Sequence, residues 1–125
     1  MLLDADLLAE DLRARAQDAS GRKGWDPTAL VASLEEAEQL AAGEEQDEAA
    51  ALFFALARRS RALGPLAADF IPGAARAQAV SMGYELLIDD LELAMLRAGV
   101  LRGELSFDDI RRWFAAERRT LDRRR

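Results

Sequence analysis

Only eight of the 125 residues are β-branched, and this scarcity constrains the fold more than any other feature of the sequence. The eight are Val31, Val80, Val100, Ile71, Ile88, Ile110, Thr28 and Thr120. β-Branched side chains favour strands, whereas alanine and leucine, which supply most of the apolar content here, favour helices. Half of the residues are apolar, so the chain is able to bury a core. The composition therefore predicts an all-α fold.

Glycine and proline divide the chain into five segments with helical spacing of apolar residues. The clearest helix start is Asp26-Pro27, because aspartate caps free N–H groups and proline fits the first helical position. A length of 125 residues suits one domain, and we predict a single helical domain over 1–125, built as a compact bundle of about five helices. The predicted helices cover residues 4–19, 27–42, 44–63, 74–98 and a segment that begins at Ser106. Gly43 is predicted to end the second helix, and Ser106 with Asp109 is predicted to form a capping box at the start of the last.

The predicted helix over 74–98 is the most apolar. It follows a segment, 66–73, that is predicted to be an irregular connector with Phe70 and Ile71 packed inward. Two apolar stripes run along this helix, which predicts that it lies at the centre of the bundle. The second stripe is also compatible with a homodimer. The first stripe comprises Val80, Tyr84, Leu87, Leu91, Ala94, Met95 and Ala98, and the second Met82, Leu86 and Leu93.

Cysteine and histidine are both absent from the sequence. Disulfides, thiolate zinc sites, cysteine nucleophiles, serine–histidine triads and imidazole acid–base catalysis are therefore excluded. Any chemistry must use carboxylates, hydroxyls, arginines, Lys23 or Tyr84. We expect Tyr84 to be a core residue whose hydroxyl has one hydrogen-bond partner, and Trp113 to be a core or interface aromatic.

The net charge of −6 is unevenly distributed. Residues 1–50 carry 13 acidic and four basic side chains, so a nucleic-acid partner is not expected. The basic end, which includes Arg118 and Arg119, is expected to be a solvated terminus. The first residues lack a signal-peptide pattern, and no apolar run has the length of a membrane span, so we expect a cytoplasmic protein without membrane contact.

A row of carboxylates is the most suggestive chemical feature. If residues 74–98 form one helix, Glu85, Asp89 and Glu92 point in nearly the same direction. Like charges at this spacing repel each other, and a divalent cation or an arginine would offset the repulsion. Glu45 and Glu48, on the preceding predicted helix, could join the row. The five carboxylates form a candidate site for Mg²⁺ or Mn²⁺, with surface or arginine-paired carboxylates as the alternative.

Part of this pattern resembles a known family. The stretch Glu44-Glu45-Gln46-Asp47-Glu48 is similar to the Glu-Glu-x-x-Glu element of the MazG-like all-α nucleotide pyrophosphohydrolases. In that family a Glu-x-x-Asp element on a following helix completes the Mg²⁺ site. Here the corresponding pair, Glu85 and Asp89, is one residue too widely spaced and lies farther along the chain. The resemblance implies metal-dependent hydrolysis of a phosphorylated small molecule.

Two functions of different classes follow from these observations. The first is a helical protein–protein interaction or regulatory module without catalytic activity and without a cofactor, such as an adaptor, an inhibitor, an antitoxin or an immunity protein, whose acidic half would neutralise a basic protein partner. The second is a divalent-metal-dependent hydrolase of phosphorylated small molecules. Convergence of the carboxylates on one cavity distinguishes the two.

Overall fold

A computed structural model of the chain describes residues 27–64 and 67–121, and these fold into a compact, mostly α-helical structure. The prediction of a helical bundle is confirmed, with a small sheet added. The predicted helix over 4–19 and the Asp26 cap lie outside the described residues. The helices are α1 (Pro27–Ala41), α2 (Glu48–Arg58), α3 (Ser60–Leu63), α4 (Ala67–Ser81), α5 (Asp90–Leu101) and α6 (Phe107–Ala116), a 3₁₀ turn covers Glu45–Asp47, and the strands are β1 (Tyr84–Leu86) and β2 (Arg118–Thr120).

The centre of the fold is α2. It packs against α1, α4, α5 and α6, and its only half-buried or exposed residues are Phe54 and Arg58. Five of its eleven residues are alanines, whose small side chains allow neighbouring helices to approach closely on several sides. The prediction that the segment 74–98 supplies the central helix is therefore wrong, because the alanine-rich α2 occupies that place.

The predicted helix over 74–98 is two helices with a strand between them. The first of these, α4, ends at Ser81, and Gly83 follows in the left-handed region with φ of +95°. Glycine tolerates that conformation because it has no Cβ. The chain then extends through β1 and restarts as a helix at Asp90. An apolar spacing that appeared continuous in the sequence therefore belongs to elements with different orientations.

The small sheet is an antiparallel pair that joins β1 to β2. Glu85 lies opposite Arg119, and Leu86 lies opposite Arg118. Backbone hydrogen bonds continue the pairing at both ends, from Leu87 N to Glu117 O (2.7 Å) and from Leu121 N to Gly83 O (2.9 Å). The composition did not reveal this sheet, because each strand has only three paired residues and such short strands hardly affect the overall content of β-branched residues.

The predicted connector over 66–73 is, from Ala67 onward, the beginning of α4, and Pro72 lies inside that helix. A proline in a helix loses one backbone hydrogen bond and costs about 3 kcal/mol. Phe70 and Ile71 are fully buried, as the sequence predicted, and burying two such side chains contributes about 3–6 kcal/mol. Burial therefore exceeds the cost of the proline, and the helix continues through it.

Candidate functional site

The two N-terminal candidate ligands, Glu45 and Glu48, lie in different environments. Glu45 is exposed in the 3₁₀ turn before α2. Glu48 begins α2 and is buried with 8% of its surface exposed, and its Oε1 accepts a hydrogen bond from Nε2 of the fully buried Gln78 at 3.0 Å. Glu48 is thus part of a buried polar pair between α2 and α4.

The other three candidates do not form the predicted row. Glu85 lies in β1 and forms an ion pair with Arg119, which is opposite it in β2. Asp89 precedes α5 and caps it, with Oδ1 accepting a hydrogen bond from the backbone N–H of Glu92 at 2.8 Å. Because a strand and a loop separate these residues, the carboxylates do not share a helix face. The predicted row is wrong for this reason.

No group of three or more acidic residues is placed to hold a metal ion within residues 27–64 and 67–121. Several acidic side chains are instead engaged in helix caps or in arginine pairs. Arg76 bonds Asp90 at 2.7 Å, and both Arg58 and Arg59 contact Glu36. Mg²⁺ and Mn²⁺ need several oxygen ligands that converge on one point. The predicted metal site was argued from carboxylates that share one helix face, and the described residues do not have that arrangement.

Tyr84 is buried, and its hydroxyl donates a hydrogen bond to the backbone carbonyl of Gln46 at 2.7 Å. This confirms the prediction of a core tyrosine with a hydroxyl partner. The guanidinium carbon of Arg118 lies 4.8 Å from the centre of the Tyr84 ring, and Arg118 Nη1 donates to the same Gln46 carbonyl at 3.2 Å. Burial raises the pKa of Tyr84 above its ordinary value, and Arg118 partly opposes that effect. The group joins the sheet to the 3₁₀ turn.

A polar cleft of about 250 Å³ lies beside the N-terminal part of α4, lined in part by Asp69, Arg76 and Asp90. The arginine of this cleft forms hydrogen bonds within the protein. Arg76 donates to Asp90 and also to the backbone carbonyl of Ile88 at 2.9 Å. These bonds fasten α4 to the start of α5. The cleft is therefore a polar contact between helices.

An apolar groove between α5 and α6 is a candidate binding site. It has a volume of about 320 Å³ and is lined by Glu92, Met95, Leu96, Leu105 and Trp113. Met95 is 64% exposed and Trp113 is 42% exposed, although both are large apolar side chains. Exposed apolar surface of this kind marks binding sites when it is contiguous.

The exposed apolar surface extends beyond the groove on both helices. Leu91 lies one turn before Met95 on α5 and is 71% exposed. On the other side, a second cleft of about 420 Å³ shares Leu105 and Trp113 with the groove and continues past Ala116. We call this surface the α5/α6 groove and define it by Leu91, Glu92, Met95, Leu96, Leu105, Asp109, Arg112, Trp113, Ala116 and Glu117.

The charged residues at the rim of the α5/α6 groove are mostly acidic. Arg112 is already paired, with its Nη2 2.9 Å from Asp109. The backbone N–H of Ser106 and the guanidinium of Arg112 together hold the pKa of Asp109 below its ordinary value. Within the described parts of the chain, Glu92 and Glu117 form no ion pair. Two unpaired carboxylates thus line the surface around Trp113, Glu92 in the groove and Glu117 in the adjoining cleft.

The local sequence explains why the groove lies on this face. Ser106 and Asp109 form the predicted capping box, which starts α6 at Phe107. The helix then turns Ile110 and Phe114 into the core and leaves Trp113 at the surface. Asp89 caps α5, so that helix begins at Asp90.

The apolar residues that line this surface do not lie where their spacing in the sequence predicted. Leu91 and Met95 were predicted to be core residues on the first stripe, but on α5, which begins after the Asp89 cap, they are exposed and Leu93, Leu96 and Val100 are buried instead. The second stripe, predicted to be available for a homodimer, is largely occupied, since Leu86 and Leu93 are buried and Met82 packs against the core. An Asp-Asp pair directly before Leu91 was the available signal of a new helix start.

Comparisons of the chain with known protein families, with curated proteins and with solved structures find no match. No helix of the described residues is long and apolar enough to cross a membrane.

Proposed function

We propose that this protein is an interaction module that binds another protein through the α5/α6 groove and carries out no catalysis. The observation that supports the proposal is the exposure of Leu91, Met95 and Trp113 on one continuous surface. Leaving a large apolar side chain in water forgoes about 1.5–3 kcal/mol that burial would contribute. Trp and Met are also enriched in protein interfaces, where the anchoring side chain is commonly aromatic.

The arrangement of the carboxylates also favours binding over hydrolysis. Glu48 is engaged by Gln78, Glu85 by Arg119, and Asp89 by the start of α5. A hydrolase of phosphorylated compounds would require these groups around one cavity with a cation for the phosphate. The α5/α6 groove is lined mainly by apolar side chains and has acids at its rim, so it repels a phosphate.

The proposal is tested by photo-crosslinking in the cells that produce the protein. A photoreactive phenylalanine analogue replaces Met95 in the groove, and a matched variant carries it at Val80, which is 52% exposed on α4 outside the groove. We expect a discrete crosslinked species from position 95 and none from position 80. Equal labelling at the two positions, or no crosslink at either, would reject the groove as an interaction site.

A further inference from the structure

We propose that the α5/α6 groove receives an amphipathic helix of a partner protein, in which lysines or arginines flank the apolar stripe. This inference rests on the proposed function and names the chemistry of the partner. It is argued from the spacing of the apolar residues, from the charges at the rim and from the charges of the competing occupants.

The spacing of the groove residues suits a helix. Leu91 and Met95 are four residues apart on α5, so they lie one above the other, about 6 Å apart along the helix axis. Trp113 on α6 faces the same surface. Two helices with exposed apolar side chains form a trough in which a third helix can insert residues at i and i+4.

The rim determines the charge of the occupant. Glu92 lies on the α5 side and Glu117 at the end of α6, and no ion pair engages either one among the described residues. Arg112, the one cation on this rim among the residues that the structure describes, is held by Asp108 and Asp109. A helix seated in the trough therefore meets uncompensated carboxylates on the α5 side and at the end of α6. Lysine or arginine at its flanks would pair with them, and acidic flanks would be repelled.

A second copy of the chain fits less well. An isologous dimer places each residue of the patch against its symmetry-related position. Among the described residues that line the groove, three are acidic (Glu92, Asp109 and Glu117) and one is basic (Arg112), so two copies would bring one acidic surface against another.

The chain's own N-terminal sequence is also a poorer match in charge. Residues 4–15 contain the predicted apolar face of Leu7, Leu8 and Leu12, but they carry four acidic and two basic side chains. This segment would bring excess negative charge to an acidic rim. Charge therefore favours a basic helix from a different protein.

The test uses a fluorescein-labelled peptide of about 14 residues, four helical turns, built from Leu, Ala and Lys so that leucines line one face and lysines flank it. One comparison peptide has glutamate in place of every lysine, and another has the same residues shuffled so that no apolar face forms. Binding to the full chain is measured by fluorescence anisotropy at physiological ionic strength. The lysine peptide should bind more tightly than both comparison peptides.

Variants locate the binding. Trp113→Ala should weaken the affinity for the lysine peptide at least about tenfold, as loss of an aromatic anchor does, and Met95→Glu should do the same through a different residue. Glu92→Gln/Glu117→Gln should weaken it about threefold to tenfold and reduce its salt dependence. The matched control is Glu35→Gln/Glu38→Gln, which removes the same charge from exposed positions of α1 and should leave the affinity unchanged.

The outcomes separate this inference from the proposed function. Equal losses in the two double variants would show non-specific attraction of a basic peptide to an acidic protein and would overturn the inference, as would tighter binding of the glutamate or the shuffled peptide. A crosslink at position 95 without lysine-peptide binding would keep the proposed function and reject the basic helix. A crosslinked species with the mass of two chains would replace it with a second copy.

Discussion

Gln78 Nε2 donates a hydrogen bond to Glu48 Oε1 at 3.0 Å, with the amide fully buried and the carboxylate nearly so. The bond joins α4 to the central α2 inside the core. A carboxylate in such surroundings needs hydrogen-bond donors, because burial of an ionised group without them is costly. The pair is therefore expected to make a large contribution to stability.

We predict that Gln78→Leu lowers the free energy of unfolding by about 2–3 kcal/mol, because the Glu48 carboxylate loses a buried donor. Urea denaturation monitored by circular dichroism measures the loss. The matched control is Gln39→Leu, which makes the same replacement at an exposed position of α1 and should change the stability by no more than about 0.5 kcal/mol. Equal effects at the two positions would contradict the assignment.

Tyr84 gives a prediction about pH. Its hydroxyl donates to Gln46, and burial raises its pKa above the ordinary value of 10.0. The folded protein therefore holds this proton more tightly than the unfolded chain does. The resulting stabilisation is fully present below about pH 10 and is lost as the pH rises through the higher pKa of the folded state.

We expect Tyr84→Phe to cost about 1 kcal/mol near neutral pH, where the hydrogen bond to Gln46 is intact. The difference from the unsubstituted protein should shrink above about pH 10, since both then lack the bond. Because the chain contains one tyrosine, its tyrosinate absorbance reports this residue directly. A pKa in the folded protein at or below that of the urea-unfolded chain would contradict the prediction.

The sequence predicted those features that depend on local signals. The capping box of Ser106 and Asp109 starts α6, and the Gly43 break follows α1, because caps and breaks act within a few residues. Burial of Phe70, Ile71 and Tyr84 also follows from their apolar character and surroundings. Such features need no knowledge of the tertiary structure.

The predicted carboxylate site required residues 74–98 to form one continuous helix, and the sequence alone did not reveal where that helix is interrupted. Apolar residues recur at helical spacing from Val80 to Ala98. The first helix nevertheless ends before Gly83, and a new helix begins at Asp90 after the Asp89 cap. β1 forms only because β2 pairs with it from 34 residues away. A pairing at that separation leaves no periodic trace, so the carboxylate row and the first apolar stripe were both assigned to a helix that does not exist.

Asp89 distinguishes a cap from a metal ligand. If Asp89 acts as a helix cap, Asp89→Ala should lower the free energy of unfolding by about 1 kcal/mol, and by the same amount in Mn²⁺ as in EDTA. Thermal melts at physiological salt, with Glu38→Ala as an exposed control, measure this. A saturable Mn²⁺ stabilisation of the unsubstituted protein that is lost in Asp89→Ala would instead support the divalent-metal hydrolase, and Glu85→Ala should then abolish it as well.

Two glycines should respond in opposite directions to replacement by alanine. Gly83 has φ of +95°, which costs an L-residue about 1–2 kcal/mol, so Gly83→Ala should be destabilising. Gly73 lies exposed within α4, where alanine is favoured over glycine by about 1 kcal/mol, so Gly73→Ala should be stabilising. The sequence predicted the reverse, with Gly83 inside the helix over 74–98 and Gly73 in the connector before it. Melting temperatures of the two variants that shift in the same direction would contradict the structure.

Gly99 lies where α5 meets the floor of the α5/α6 groove. A Cβ at this position would lie 2.6 Å from Leu105 Cδ1 and 2.9 Å from Leu105 Cγ, so the Leu105 side chain would have to move, and the shape of the groove that it lines would change. The higher helix propensity of alanine, about 1 kcal/mol, offsets part of the cost of that movement. We therefore expect Gly99→Ala to change the unfolding free energy by no more than about 1 kcal/mol, yet to weaken binding of the lysine peptide severalfold.

Gly103→Ala is the matched control, because it strains the backbone without placing a Cβ against Leu105. No atom lies within 4 Å of a Cβ built on Gly103, but its φ of +79° strains an alanine. This variant should lose about 1–2 kcal/mol of stability and keep the peptide affinity of the unsubstituted protein, provided that both are measured well below the melting temperature. Weaker binding in Gly103→Ala than in Gly99→Ala would show that affinity follows stability and does not depend on the shape of the groove at Leu105.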